Sequence, residues 1–388
     1  MFSPFSKLPV PKPDPLFAIG TEARLAGPTA INGTLGVVMD EEGNPVLFPS
    51  VCRALESIAK QLPSGNYSYP KLTGLDEYRA AVEALLPRQD GMHVASIAST
   101  GGTGGLAINL RLMRMMLGDS DPTVILPVPA WGNHPPPCKA AGLRIIEVPY
   151  LEDGAASIQG ILDAVKKEGR PVGLLVQVGC HNPTGLDFSP KQWDELAATL
   201  AGQEVMTLLD CAYQGFIGEP IEDIEPIRKF LSHGIPSLVV WSASKNHTIY
   251  GLRTGLAAAY VPDKTLLSTV EGHYSSITRM LHSASATFGQ SVVVKVQSEL
   301  KNEWLQDLSR TRVIINRKRA SMTALLPDDF KKALRGHGMF AQFPLNESQI
   351  HRLKIEHAVY MTLDGRLNIA GIPDARIDEL CQKIAAVL

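Results

Sequence analysis

From about residue 90 to residue 261 the chain repeats one pattern. Short apolar runs, TVILPVP (123–129), GLLVQV (173–178), VMTLLD (205–210), SLVVWSAS (237–244) and GLAAAYV (255–261), are separated in several places by helix-like stretches such as SPKQWDELAATLAG (189–202). Runs this short and this continuously apolar fit parallel strands buried on both faces. With helices between them they predict an α/β fold, an open and mostly parallel sheet flanked by helices. A long amphipathic segment, roughly 290–326, leads away from this region and ends near Pro327. Beyond it MFAQFPL, a helix-like stretch, AVYMTL and RLNIAGI predict a smaller α+β unit. The segment VLFPSVCRALESIAKQLP (46–63) opens the larger unit, and the residues before it are expected to pack with the C-terminal one. The division expected is 1–45 as an N-terminal arm and part of the small domain, 46–300 as the large domain, and 301–388 as linking helix and small domain. The first residues, MFSPFSKLPVPKPDP, read equally as an extended arm or a disordered tail.

Length agrees with two domains, since 388 residues exceed what one core usually organises. The formal net charge of −2 supplies no global basic field, which argues against nucleic acid or anionic lipid as partners. Any anion site must be local. Five scattered cysteines without metal-type spacing fit a reducing, cytoplasmic setting better than a disulfide framework or a metal centre. No signal-like apolar stretch opens the chain, and no run of eighteen apolar residues occurs, so a membrane span is not expected.

Five motifs carry candidate chemistry. In WSASKNHTIYGLRTG (241–255), Lys245 directly follows an apolar strand. A buried ammonium is unfavourable there, but a neutral amine working as a nucleophile is tolerable. Ser242, Ser244 and Arg253 are able to converge on one phosphate. In STGGTGGLAINLRLMRMML (99–117), Gly102 and Thr103 sit in a glycine-rich turn ahead of a helix, a pattern that presents N–H groups to an anion. Asp210 closes VMTLLD, with Tyr213 three residues on, where ligands of parallel sheets bind; a helix N-cap is the competing role. Asn182 lies in the turn GCHNPTG (179–185). PAWGNH (129–134) offers the Trp131 indole for stacking and His134 to orient a carboxylate. Each motif alone also reads as an ordinary turn, loop or packing element.

In series, GGTG, WGNH, HNPTG, DCAYQGF, SASKN, YGLRTG and GRLNIAG resemble the class I aminotransferases of pyridoxal-phosphate fold type I, closest to the aspartate and aromatic amino acid branch. The resemblance spans nearly the whole chain. It implies pyridoxal 5′-phosphate as cofactor and ping-pong transamination between an L-amino acid, aspartate or aromatic, and 2-oxoglutarate. By position, Lys245 matches the lysine that carries the cofactor and then moves the proton. Asp210, supported by His134, matches the carboxylate on the pyridine nitrogen. Tyr213 and Asn182 match the partners of the phenolic oxygen, and Trp131 the stacking indole. Gly102, Thr103, Ser242, Ser244 and Arg253 match the phosphate cup. Tyr69, in YPKLTGL, matches a tyrosine reaching the neighbouring subunit's phosphate, which implies a homodimer with shared sites. Arg366 matches the clamp on the substrate α-carboxylate, with Gly36, Trp131 and Asn182 around the substrate.

The resemblance thins where the substrate side chain is chosen. Arg279, in TRMLHSASATFG (278–289), falls where the branch places an arginine lent by the partner for acidic side chains, yet the motif around it has changed. Val38 and Met39 replace an aromatic and a basic residue, FGLY becomes HTIY, and GMFSF becomes GMFAQF, leaving Gln342 without a role. A β-lyase or decarboxylase on the same fold, or a non-catalytic binding protein, remains the alternative.

Overall fold

The computed structural model describes residues 4–11, 13–61, 68–118 and 120–388. Parts of the expected N-terminal arm, and the end of the 46–63 segment, lie outside these residues. Seven strands form one sheet: β1 (His93–Thr100), β2 (Thr123–Val128), β3 (Arg144–Pro149), β4 (Val172–Gln177), β5 (Val205–Cys211), β6 (Ser237–Ser242) and β7 (Thr254–Val261), in the order β1-β7-β6-β5-β4-β2-β3. Strands β4 to β7 are buried at almost every position, which is why they read as apolar runs without alternation. Pairings among β6, β5, β4, β2 and β3 are parallel.

Strand β7 departs from the expectation of a parallel strand, for it runs antiparallel to both neighbours. The eleven residues between Ser242 and Thr254 explain this. They form a four-residue helix and one 3₁₀ turn, and never cross the sheet face as a parallel connection requires. β1 and β3 had no counterpart among the predicted strands. HVASIAST is mostly small and polar, and RIIEVP is an edge strand with both faces partly exposed, so neither shows a continuous apolar run.

Outside the sheet, the glycine-rich run is itself the first turns of helix Gly101–Met116. A Cβ at Gly105 would lie 2.9 Å from Val240 Cγ1, so glycine there lets the helix lie close on the sheet. The long amphipathic segment is two helices, Phe288–Glu299 and Lys301–Leu325. A second hydrophobic cluster, from Met322 to Val387, also takes in Ile31. There Ile31–Asn32 pairs in parallel with Val359–Tyr360, while Phe340–Gln342 pairs antiparallel with Arg366–Asn368. Among the described residues no helix is long and apolar enough to cross a membrane.

Candidate active site

The C-terminal ends of β4, β5 and β6 open onto one small cavity lined by Gly102, Trp131, Gln177, Asp210, Ala212, Tyr213, Ser242 and Lys245. This is where an open parallel sheet leaves room for a ligand. Asp210 sits inside β5 rather than at a helix N-cap, and is 3 % exposed. Its Oδ2 lies 2.9 Å from His134 Nε2. The other ring nitrogen, His134 Nδ1, has no partner. Trp131 meets the His134 ring edge-on at 5.4 Å.

Lys245 follows β6 within the helix Ala243–Asn246, with its Nζ 5.2 Å from the centre of the Tyr213 ring. Burial pulls its pKa down to about 8, against the opposing pull of Asp210 and with a smaller push from Arg253. The amine is therefore far more often neutral than an ordinary lysine. Burial pushes the Tyr213 phenol well above its usual range, and the amide of Asn182, donating to its hydroxyl at 3.4 Å, acts the other way.

Beside this lies the start of helix Gly101–Met116. It has no side-chain cap, so no N-cap side chain occupies its first N–H groups. Ser242 Oγ donates to Ser244 Oγ at 3.0 Å, and Arg253 Nη1 to Ser244 Oγ at 3.3 Å. Any side chain at Gly101 would collide with the Arg253 guanidinium, and a Cβ at Gly102 would touch Ser242. Thr103 Oγ1 accepts from Asn133 at 3.3 Å.

On the opposite side Arg366, 7 % exposed, donates to Asn182 Oδ1 at 3.2 Å and to the Thr34 carbonyl at 2.9 Å. Its Nε has no partner, and burial lowers its pKa. The guanidinium lies 5.0 Å over the Phe340 ring, against whose far edge Gly36 packs at a distance a Cβ would reduce to 2.9 Å.

The pattern of the family described as aminotransferase class I and II matches residues 34–384, nearly the whole chain. The chain belongs to this aminotransferase family. An aspartate aminotransferase from Haemophilus influenzae is 31% identical over 393 residues, covering 97% of this chain and 98% of its own. An aromatic-amino-acid aminotransferase from Escherichia coli is 30% identical over 372 residues, covering 92% of this chain and 93% of its own. Among solved structures, the aromatic-amino-acid aminotransferase of Burkholderia pseudomallei, covalently bound to pyridoxal phosphate, superposes over 100% of both chains with a TM-score of 0.93 at 26% identity.

Aminotransferases of this family depend on pyridoxal phosphate, and the residues present fit that group. The uncapped helix start with two buried serines and Arg253 suits a phosphate. The carboxylate held by His134 at the cavity floor suits a ring cation, and the amine of depressed pKa suits imine chemistry.

Two of the expected site residues lie apart from this aminotransferase cavity. Tyr69 is 95 % exposed. Arg279 is exposed on helix Leu267–His282 and donates to Ser283 Oγ at 2.6 Å. Two lining residues escaped the sequence reading. Gln177 ends β4 in register with Asp210, accepts from Asn182 N at 3.2 Å and donates to the Gly179 and Cys180 carbonyls at 3.0 Å. Its signal was a lone polar residue near the end of GLLVQV. Ala212 carried no signal, since a methyl group looks like any packing residue. Gln342 gains a place too. It pairs with Arg366 across the strands and donates to Asp364 O at 3.0 Å, fixing the turn before the arginine.

Proposed function

We propose that this aminotransferase moves the amino group of an L-amino acid, aspartate or an aromatic one, to 2-oxoglutarate by a ping-pong route. One observation carries the reading. Arg366 is buried with Nε unpartnered, and it shares Asn182 with the Tyr213–Lys245 side of the cavity. A planar cation so placed suits the α-carboxylate that every L-amino acid and 2-oxo acid presents.

The proposed roles follow. Gly102, Thr103, Ser242, Ser244 and Arg253 hold the cofactor phosphate, and a partner copy contributes Tyr69. Trp131 covers the ring face. Asp210, kept in place by His134, holds the ring nitrogen protonated, while Tyr213 and Asn182 bind the phenolic oxygen. Pyridoxal phosphate, when bound, supplies the electron sink for the charge left at the substrate Cα. Lys245, whose amine is more often neutral than an ordinary lysine, would act as the base that takes the proton from the substrate Cα and hands it on to the cofactor side. Arg366 and Asn182 keep the substrate oriented so that Cα faces that amine.

Arg279 is the proposed contact for an acidic side chain, reaching the site of a second copy. Relatives named for aspartate and for aromatic substrates stand at nearly equal identity, which supports a pocket open to both. Free cysteines, and a rice relative named as a cytoplasmic aspartate aminotransferase, support a cytoplasmic setting. The test is product analysis with L-aspartate or L-tyrosine plus 2-oxoglutarate. Glutamate and the matching 2-oxo acid are expected. Ammonia or carbon dioxide in their place would overturn the reading.

A further inference from the structure

We infer that Arg319, far along the helix Lys301–Leu325, is a positioning residue for the substrate-carboxylate clamp, acting through the Leu334–Phe340 segment and the Asn182 loop. The inference rests on the proposed role of Arg366.

Arg319 is 3 % exposed. Its guanidinium makes no ion pair among the described residues. It is spent on backbone carbonyls of one segment instead: Nε donates to Gly338 O at 3.1 Å, Nη1 to Leu334 O at 3.4 Å, and Nη2 to His337 O at 3.0 Å and to Phe340 O. Burying a cation for four carbonyls is unfavourable unless the geometry it fixes matters. Burial pulls its pKa down to about 10, with Cys180 and Asp187 acting the other way.

The segment it grips ends at Phe340, which touches the clamp from three directions. The ring lies under Arg366 at 5.0 Å, meets Tyr213 edge-on at 6.2 Å and packs on Gly36. The same segment braces the other half of the clamp. His337 N donates to Gly185 O at 2.7 Å, and a Cβ at Gly185 would lie 2.7 Å from Arg319 Nη2. Gly185 closes the turn that carries Asn182, the residue bonded to Arg366. Asp187, further along that loop, accepts from Cys180 N and His181 N at 2.9 and 3.0 Å. Arg319 thus holds the segment that ends at Phe340 and lies against the turn that carries Asn182, two of the groups that meet the Arg366 guanidinium. Lysine cannot reproduce the planar fork that serves four carbonyls at once.

The test compares R319M, R319K and R366K with the unaltered holoenzyme. Two non-reacting probes, maleate and 3-phenylpropanoate, are titrated by their effect on the cofactor absorbance. KM and kcat are then measured for L-aspartate. R319M is expected to bind both probes about tenfold more weakly and to raise KM more than it lowers kcat, because small misplacements of a binding group weaken it steeply. Cofactor content and the resting spectrum should stay as in the unaltered enzyme. R319K should show the same loss in smaller measure, and it decides the matter if R319M does not fold. Probe affinity unchanged in the variants, or lost only in step with cofactor, would overturn the inference. If R366K also binds both probes normally, the clamp reading itself fails.

Discussion

At the scale of single residues, one cavity brings together a buried carboxylate and an amine that burial makes more often neutral. Asp210 is buried but held by a hydrogen-bonded His134, while the Lys245 amine is pulled down to about 8 by burial. The sign of the pH effect follows. With the pKa near 8, about one amine in ten is neutral at pH 7 and about half at pH 8, and the neutral share levels off above about pH 9. An amine-directed reagent applied to cofactor-free protein, read by peptide mapping, should label Lys245 with that profile. Surface lysines should keep gaining reactivity beyond pH 10. A shared profile would contradict the depressed pKa. K245A should lower the transamination rate by about a hundredfold or more, the ordinary range for losing a positioned base. D210N keeps the shape and removes the charge. With cofactor content measured separately, it should reduce kcat by about a hundredfold or more, since a preorganised electrostatic partner is lost.

At the scale of elements, helix ends place the chemistry. Helix Gly101–Met116 starts uncapped because its N-terminus faces the proposed phosphate site, whereas helix Pro190–Leu200 starts with a complete Ser189/Gln192 capping box. The two should respond differently to mutation. S189A is expected to lower stability by about 1 kcal/mol with cofactor retention unchanged. G105A forces the other helix away from Val240 and should lower stability by about 1–3 kcal/mol while weakening cofactor retention. Thermal melting and dialysis against buffer check both. Elements also set what was legible beforehand. Strands β4 to β6 announced themselves as largely apolar runs, and Lys245 and Asp210 were conspicuous as charged residues at the ends of such runs. The direction of β7 was hidden because an apolar strand buried on both faces looks the same whichever way it runs. The polarity of Gln177 stood out in GLLVQV but not its register with Asp210, and Arg319 was hidden because its role depends on backbone carbonyls, which leave no trace in residue type.

At the scale of the whole molecule, one chain leaves two expected site residues facing outward. Tyr69 and Met280 are 95 % and 66 % exposed, and Arg279 beside Met280 is exposed as well. In the proposed shared-site reading, a second copy of the chain is the partner that gives these residues a function. Sedimentation should accordingly find twice the 42.0 kDa chain mass. Y69F should weaken cofactor retention, and a monomer with full activity would contradict the shared site. The central claim, that Lys245 and Asp210 serve pyridoxal-phosphate transamination, is tested most directly by the absorption spectrum of the purified protein. L-aspartate and L-tyrosine are added separately, followed by 2-oxoglutarate. The account predicts a cofactor band that each productive donor converts to the aminated form and that 2-oxoglutarate restores. A protein that shows no such band even after pyridoxal phosphate is supplied, or a band that no amino acid converts, would contradict it.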